Sequence, residues 1–340
     1  MNQKFKMFFL GYLFFIFTIQ SDAIERTQEI SLEKGWNSIF LEVDPRIEKQ
    51  NLSAYMMPKG EDNKSILTPI SIISTYYPRY SSVEYIQDPS QSGWKKSTWN
   101  RWVRDDLPES FLTNLYDLEA NQAYLVKSDR AFVWKVKGEV KDIARRWQPN
   151  SFNLLGFNVT APAPSFYQYL QNNTSSKALL QGPVYRLDKG HWTKINMLDT
   201  AIEPNRAYWV YSTNTSEFQG VLDVRIESGA STLSFLDIVD RKTIILKNSS
   251  SQTIIINITL EKNAVPLSLV EKNNLSQTIY TPVAQQVKRL TIAGGELAKL
   301  SLAVRRNEMV GNQKQEGLLK FSVAGFNEIY YMAVSAYKGE

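Results

Sequence analysis

The chain has 340 residues, of which 43% are hydrophobic and 21% charged, a globular composition that is too long for one small module. It contains no cysteine, which excludes a disulfide framework, thiolate metal sites and cysteine nucleophiles. The formal net charge is +5, but the basic surplus is dispersed after residue 224 and follows no nucleic-acid-binding pattern, so we expect no nucleic-acid partner.

The N-terminus has the pattern of a secretory signal. Lys4 and Lys6 precede the apolar stretch 7–19, and the segment 21–23 is a small-x-small cleavage site. The apolar stretch is shorter than the roughly 20 residues that span a bilayer. Residues 1–23 are therefore predicted to be a signal peptide, and the protein is predicted to be exported to the periplasm, the cell surface or the medium, with no membrane span after cleavage.

The first predicted strand begins with Gly-Trp-Asn at residues 35–37. Its apolar residues Ile39, Leu41 and Val43 alternate, which is typical of a half-buried strand. The segment 151–159 repeats the aromatic-Asn pair and the same alternation at an offset of 116 residues, with Leu155, Phe157 and Val159. Because the copy keeps the phase of the buried face, it indicates a duplicated module.

A second repeated motif has the pattern Glu-x-Asn-x-Ala-Tyr-x-Val-x-Ser. It occupies residues 119–128 and, at an offset of 84, residues 203–212. Asn tolerates the left-handed conformation, so the pattern predicts a turn that leads into a strand with two apolar faces. The two motifs delimit a first β-rich module over residues 24–145 and a second over residues 146–224.

The two offsets place about 32 additional residues between the motifs of the first module, within residues 56–105. Six aromatic residues of this predicted insertion are the candidate ligand-binding residues: Tyr76, Tyr77, Tyr80, Trp94, Trp99 and Trp102. Tyr and Trp rings stack on sugars or on peptide side chains when they are exposed. A structural role is favoured for the tryptophans, which would cap an open sandwich edge or pack a second small core, because tryptophans are mostly buried.

Residues 225–340 contain no tryptophan and have about six strand-like runs separated by turns, which favours an immunoglobulin-like β-sandwich. The predicted fold class is therefore all-β, with two duplicated β-rich modules followed by an immunoglobulin-like sandwich. Short helices are expected at 110–118, from helical spacing of apolar residues, and at 164–170, after a proline.

The sequence offers little for catalysis. The single histidine, His191, lies in a polar turn. The sequence has no nucleophile-elbow motif whose serine it could activate as a base. We expect no catalytic residues, no metal site and no cofactor. Four carboxylates in or beside the predicted insertion could hydrolyse glycosides, which is the least favoured alternative: Glu84, Asp88, Asp105 and Asp106.

In its two repeated motifs the chain resembles exported proteins of environmental bacteria with tandem Gly-Trp-Asn-type β modules, some of which also carry laminin-G-like lectin domains. The resemblance covers approximately residues 28–224. It implies an exported location and a modular architecture, and it transfers no catalytic residues.

The expected function is that of a non-catalytic exported protein, a scaffold or adhesion component that acts through contacts with other envelope or extracellular proteins. Carbohydrate binding by the aromatic residues of the first module is the alternative, with glycans as partners. Exposure and parallel orientation of the rings would favour that alternative, because sugars stack on ring faces.

Overall fold

The computed structural model describes residues 24–45, 47, 51–59, 66–77, 98–141, 145, 147–171, 176–230, 232–236, 238–262, 265–283, 288–310 and 314–338. The predicted signal peptide lies outside these residues. The described chain is almost entirely β, with two β modules followed by a β-sandwich, as the sequence predicts. None of its helices in the described ranges is long and apolar enough to cross a membrane.

The described residues of the first module form six strands: β1 (Glu25–Leu32), β2 (Gly35–Leu41), β3 (Ile70–Tyr77), β4 (Thr98–Val103), β5 (Gln122–Ser128) and β6 (Phe132–Glu139). Four of them form an antiparallel sheet in the order β2-β5-β3-β4, and β1 pairs with β6 in a separate two-stranded sheet. The short helix α1 (Leu52–Met56) follows β2, and the Asn51 side chain caps it by accepting from the Ala54 amide.

The second module repeats this sheet with β7 (Ser151–Gly156), β8 (Val184–Asp188), β9 (His191–Lys194) and β10 (Ala207–Ser212). Its order, β7-β10-β8-β9, is the order of the first module's four-stranded sheet. Two short helices, α2 (Phe166–Leu170) and α3 (Lys177–Leu180), lie between β7 and β8. A capping box of Ser165 and Gln168 begins α2, which confirms the helix expected at 164–170.

The predicted insertion within residues 56–105 is not one added segment. Its residues include β3 and β4, which occupy the places of β8 and β9 in the second module. Only the connection between these strands differs strongly, because residues 78–97 lie between β3 and β4 whereas Lys189 and Gly190 join β8 to β9. Tyr76 and Tyr77 lie on β3 and Trp99 and Trp102 on β4, both of which are strands of the sheet.

In its described part the C-terminal sandwich has ten strands, more than the sequence indicated: β11 (Leu222–Ile226), β12 (Leu233–Phe235), β13 (Arg241–Asn248), β14 (Ile254–Lys262), β15 (Leu267–Lys272), β16 (Thr278–Pro282), β17 (Lys288–Ile292), β18 (Leu297–Val304), β19 (Gln315–Val323) and β20 (Glu328–Ala336). They form two five-stranded sheets, in the orders β11-β13-β18-β15-β16 and β12-β20-β19-β14-β17. Strand β11 crosses the predicted boundary at residues 224 and 225.

The buried side chains form two hydrophobic cores. One belongs to the first module and surrounds Trp102 and Tyr124. The other runs without interruption from the second module, at Phe157 and Tyr208, into the sandwich, at Phe321. The second module and the sandwich therefore share one interior, although the sequence divides them by composition.

The helix expected at 110–118 is absent. A 3-10 helix spans Pro108–Leu112 instead, and residues 113–119 are irregular. Phe111, which the helical spacing placed on a buried face, is 80% exposed. The backbone of residues 114 and 115 hydrogen-bonds to the Arg101 carbonyl oxygen, so this segment covers the outer edge of β4 in place of a helix.

Candidate interaction surface

The Glu-x-Asn motif forms the turn that positions the central strand of each module. Asn121 and Asn205 have φ values of 57° and 61°, in the left-handed region that asparagine tolerates. Two residues earlier in each copy, a backbone amide donates to the buried tyrosine hydroxyl of the same motif. The distances are 2.7 Å from Glu119 to Tyr124 and 2.9 Å from Glu203 to Tyr208. The motif is therefore structural.

The Asn of the Gly-Trp-Asn motif also has a structural role, which fixes the direction of the aromatic residue before it. Asn37 Oδ1 accepts from the Glu33 amide at 2.9 Å, and Asn153 Oδ1 accepts from the Gln148 amide at 2.8 Å. Successive strand residues point to opposite faces. The neighbouring aromatic residues, Trp36 and Phe152, are each 37% exposed on the outer faces of their sheets.

The largest aromatic surface is a continuous series of seven rings, which we call the aromatic strip. Its members are Tyr76, Trp99, Phe152, Tyr185, Trp192, Trp209 and Tyr211. They come from both modules. Trp99 and Phe152 are 39% and 37% exposed, and the other five are half-buried.

Trp209 lies at the centre of the aromatic strip. Its ring centroid is 5.3 Å from that of Tyr76, 6.1 Å from Trp99, 6.2 Å from Trp192 and 6.4 Å from Phe152. Each of these pairs is tilted or edge-to-face, with interplanar angles of 59° to 80°. This geometry is the favourable one for aromatic pairs, and it leaves the exposed ring edges and faces pointing in several directions.

Contacts between the modules bring the two parts of the strip together. The Phe40 amide donates to the Asn205 carbonyl at 2.9 Å, and the Ser38 hydroxyl donates to the Ala207 carbonyl at 2.8 Å. The fully buried Phe40 side chain lies against Gly156, where an added Cβ would be 2.3 Å from the Phe40 Cβ. This close approach needs glycine and fixes β2 against the second module.

The predicted ligand-binding residues separate into three groups. Tyr76 and Trp99 belong to the aromatic strip, and Tyr77, the residue after Tyr76, is half-buried. Trp102 is fully buried in the first core and its indole N–H donates to the Ser53 hydroxyl at 2.9 Å, so it has the core position of the structural alternative and offers no face to a ligand. Tyr80 and Trp94 lie outside the described residues.

Sequence reasoning missed five members of the strip: Phe152, Tyr185, Trp192, Trp209 and Tyr211. A signal for them exists in β10, where both faces are apolar. The residues facing the core are Tyr208 and Val210, whereas Trp209 alternates with them and faces outward. The outward face of β10 needed a partner, and the rings of the first module provide it.

The carboxylates considered for glycoside hydrolysis have structural contacts where they are described. Asp106 forms an ion pair with Arg104 at 2.6 Å, and the hydrogen bond from that guanidinium lowers the pKa of the Asp106 carboxyl. Asp105 accepts from the Ser53 hydroxyl at 3.0 Å. Glu84 and Asp88 lie outside the described residues. No group of three or more potential metal ligands occurs within the described part of the chain.

The most perturbed carboxyl is Glu328, at the junction of the second module and the sandwich. It is fully buried and accepts from the Tyr169 hydroxyl at 2.7 Å, from the Val221 amide at 2.9 Å, and from Tyr330. Burial raises the pKa of Glu328 to about 7, against the opposing effect of these donors and of the positive charge of Arg145. This cluster lies in the interior and joins elements of the fold.

Comparisons with known proteins give limited information. No protein-family model and no curated protein matches the chain.

Among solved structures, a PapD-like domain of human CEP192 is 7% identical, with 34% of this chain and 84% of that chain covered and a TM-score of 0.23. The chaperone–tip adhesion subunit complex of the Csu pili of Acinetobacter baumannii is 15% identical, with 35% and 57% covered and a TM-score of 0.23. The VesB protease of Vibrio cholerae is 10% identical, with 93% and 99% covered and a TM-score of 0.25. Likenesses this distant say nothing about function.

Proposed function

We propose that the protein is a non-catalytic exported protein that acts through protein contacts, and that the aromatic strip is its contact surface. The observation that carries the proposal is the continuity of seven partly exposed aromatic rings across two modules. Tyr and Trp are enriched at protein interfaces, where they supply much of the binding energy. Export rests on the signal pattern of residues 1–23 and on the resemblance of the repeated motifs to exported bacterial proteins.

The orientation of the rings favours a protein partner over a glycan at this surface. A sugar stacks on ring faces, and neighbouring sugars of a chain need platforms that face the same way. Each of the four rings around Trp209 is instead inclined to the Trp209 ring by 59° to 80°. A surface of tilted rings fits the irregular side chains of a protein better than the flat faces of an oligosaccharide.

The test is a pull-down from the envelope fraction of the source cells, with three single variants beside the unaltered protein. Trp99→Arg and Phe152→Arg each place a charge on the exposed part of the strip. Phe111→Arg is the matched control, because Phe111 is an 80% exposed aromatic residue of the first module that is not a member of the strip. The expected result is a specific protein that the unaltered protein and the control capture and that both strip variants lose.

The same variants distinguish the glycan alternative. They are applied to a glycan array in parallel with the pull-down. A protein partner that both strip variants still capture would refute the strip as the contact surface. A glycan bound by the unaltered protein and lost in both strip variants, without loss of any protein partner, would replace the proposal with carbohydrate binding.

A further inference from the structure

A cleft lies between the two modules, where the Gly-Trp-Asn segment of the first module comes close to the Glu-x-Asn motif of the second. Its lining contains none of the seven rings of the aromatic strip. The cleft has a volume of about 520 Å³, within the range of small-ligand sites. The first module contributes the end of β1 and the Gly-Trp-Asn segment, including Glu33 and Trp36. The second contributes the β8–β9 turn and residues 203–206, which belong to its Glu-x-Asn motif. The cleft therefore depends on the way in which the modules are docked.

One wall of the cleft is a set of charged side chains held in place by their own ion pairs. Arg206 bonds to Asp188 at 2.9 Å and to Glu203 at 2.5 Å. Arg186 bonds to the same two carboxylates, at 2.9 Å and 3.1 Å. The four side chains close a ring of ion pairs, so their rotamers are fixed before any ligand arrives. The two carboxylates remain about a third or more exposed and can still accept hydrogen bonds.

The other polar and aromatic side chains that line the cleft are less engaged in ion pairs. The indole ring of Trp36 is 37% exposed, with the Lys127 ammonium 6.0 Å from its centroid. Glu33 and Lys189 are exposed, and neither has an ion-pair partner within the described ranges. An aromatic ring, a carboxylate and an ammonium thus surround the same space.

We propose that this cleft binds a neutral saccharide unit, which stacks on Trp36 and hydrogen-bonds to the carboxylates of Glu33, Asp188 and Glu203. Vicinal hydroxyls donate to carboxylates, and the C–H face of a pyranose packs on an indole. The lining contains four carboxylates, those of Glu29, Glu33, Asp188 and Glu203, against the two cations Lys189 and Arg206. Arg186 and Lys135, just outside the lining, form ion pairs with Asp188, Glu203 and Glu29. The charges therefore balance, and the cleft has no net positive charge to attract an acidic sugar. The proposal does not depend on the aromatic strip.

Isothermal titration calorimetry of the purified protein tests the proposal with defined probes. The neutral probes are maltose, cellobiose, lactose and N,N′-diacetylchitobiose, and the acidic probe is digalacturonate. The variants are Trp36→Ala and Glu33→Gln, with Phe111→Ala as the control for loss of an exposed aromatic residue. Far-UV circular dichroism establishes that each variant is folded, and Glu33→Gln, a change at an exposed side chain, preserves a test if Trp36→Ala does not fold.

The expected result is binding of at least one neutral disaccharide, weakened at least ~10-fold by Trp36→Ala and by Glu33→Gln and unchanged by Phe111→Ala. Digalacturonate is expected to bind more weakly than the neutral probe. The proposal is overturned if no neutral disaccharide binds, if both cleft variants bind as tightly as the unaltered protein, or if digalacturonate binds best.

Discussion

Tyr124 and Tyr208 show how a single residue keeps the same task in both copies of the module. Each is fully buried, and each hydroxyl accepts from a backbone amide five residues earlier. Burial raises the pKa of both phenols, so they are neutral and able to donate as well as accept. The pattern is that of a tyrosine corner, in which the hydroxyl holds the turn that precedes its strand.

Removal of one of these hydroxyls tests that task. In Tyr208→Phe the Glu203 amide loses its partner, and we expect a loss of about 1–3 kcal/mol in the free energy of unfolding. Urea denaturation followed by fluorescence measures it. The control is Tyr167→Phe, at an exposed ring on α2, which should change stability by less than about 0.5 kcal/mol. Equal effects of the two changes would show that the Tyr208 hydroxyl does not hold the turn.

At the scale of elements, the sequence predicted the buried phase of the strands well. Ile39, Leu41 and Val43 are all buried, as the alternation of apolar residues requires. The intervening Phe40 is buried as well, because the other face of β2 packs on the second module at Gly156, so the strand is not half-buried. Alternation reports a face directly, because strand geometry alone decides which side chains are neighbours. Burial of Trp102 could not be predicted in the same way. It depends on contacts with α1, whose Ser53 lies 49 positions earlier in the chain.

The aromatic strip could not be predicted from the sequence for a related reason. Its rings belong to strands of two modules, and their proximity depends on how those modules dock. The docking is decided by close contacts such as that of Phe40 with Gly156, for which the sequence has no periodic signal. Composition identified Tyr76 and Trp99 as candidates, and only the fold shows that Trp209 of the second module packs against both of them.

Glu328 joins three elements, and its ionisation should make the junction sensitive to pH. It belongs to β20 and contacts α2 through Tyr169 and the segment before β11 through Val221, with Tyr330 and Arg145 as the other polar groups around it. Its pKa is about 7 in the folded protein against 4.5 for an unperturbed carboxyl. Its stabilising contribution is therefore complete below pH 4.5 and is lost as the pH rises through 7.

The variant Glu328→Gln tests this linkage. It should be less stable than the unaltered protein at low pH, since its amide cannot accept from the Val221 amide and both tyrosines at once. Between pH 5 and 8 the unaltered protein should lose on the order of 2 kcal/mol more stability than the variant. Urea denaturation at four pH values in this window gives the two slopes. Parallel slopes would mean that Glu328 does not titrate in this window.

For the whole molecule, the two hydrophobic cores predict two cooperative units that do not coincide with the three regions suggested by composition. The first module has its own core, whereas the second module and the sandwich share one. The contacts between the first module and the rest are hydrogen bonds, such as that from Gln28 to Asn205 at 2.9 Å, the Phe40 contact, and the partly exposed rings of the aromatic strip. Polar and partly exposed contacts of this kind transmit less cooperativity than a continuous buried apolar interior.

The shared core should therefore respond as one body to a cavity placed at either end. Leu246→Ala, in the sandwich, is expected to cost about 2–5 kcal/mol and to speed amide hydrogen exchange in the second module as well as in the sandwich. Ile73→Ala, in the first module, should speed exchange there alone. Hydrogen exchange followed by mass spectrometry resolves both responses by peptide. If Leu246→Ala leaves β7 and β10 as protected as before, the interior is divided near residue 222 and the composition boundary describes the folding units better than the packing does.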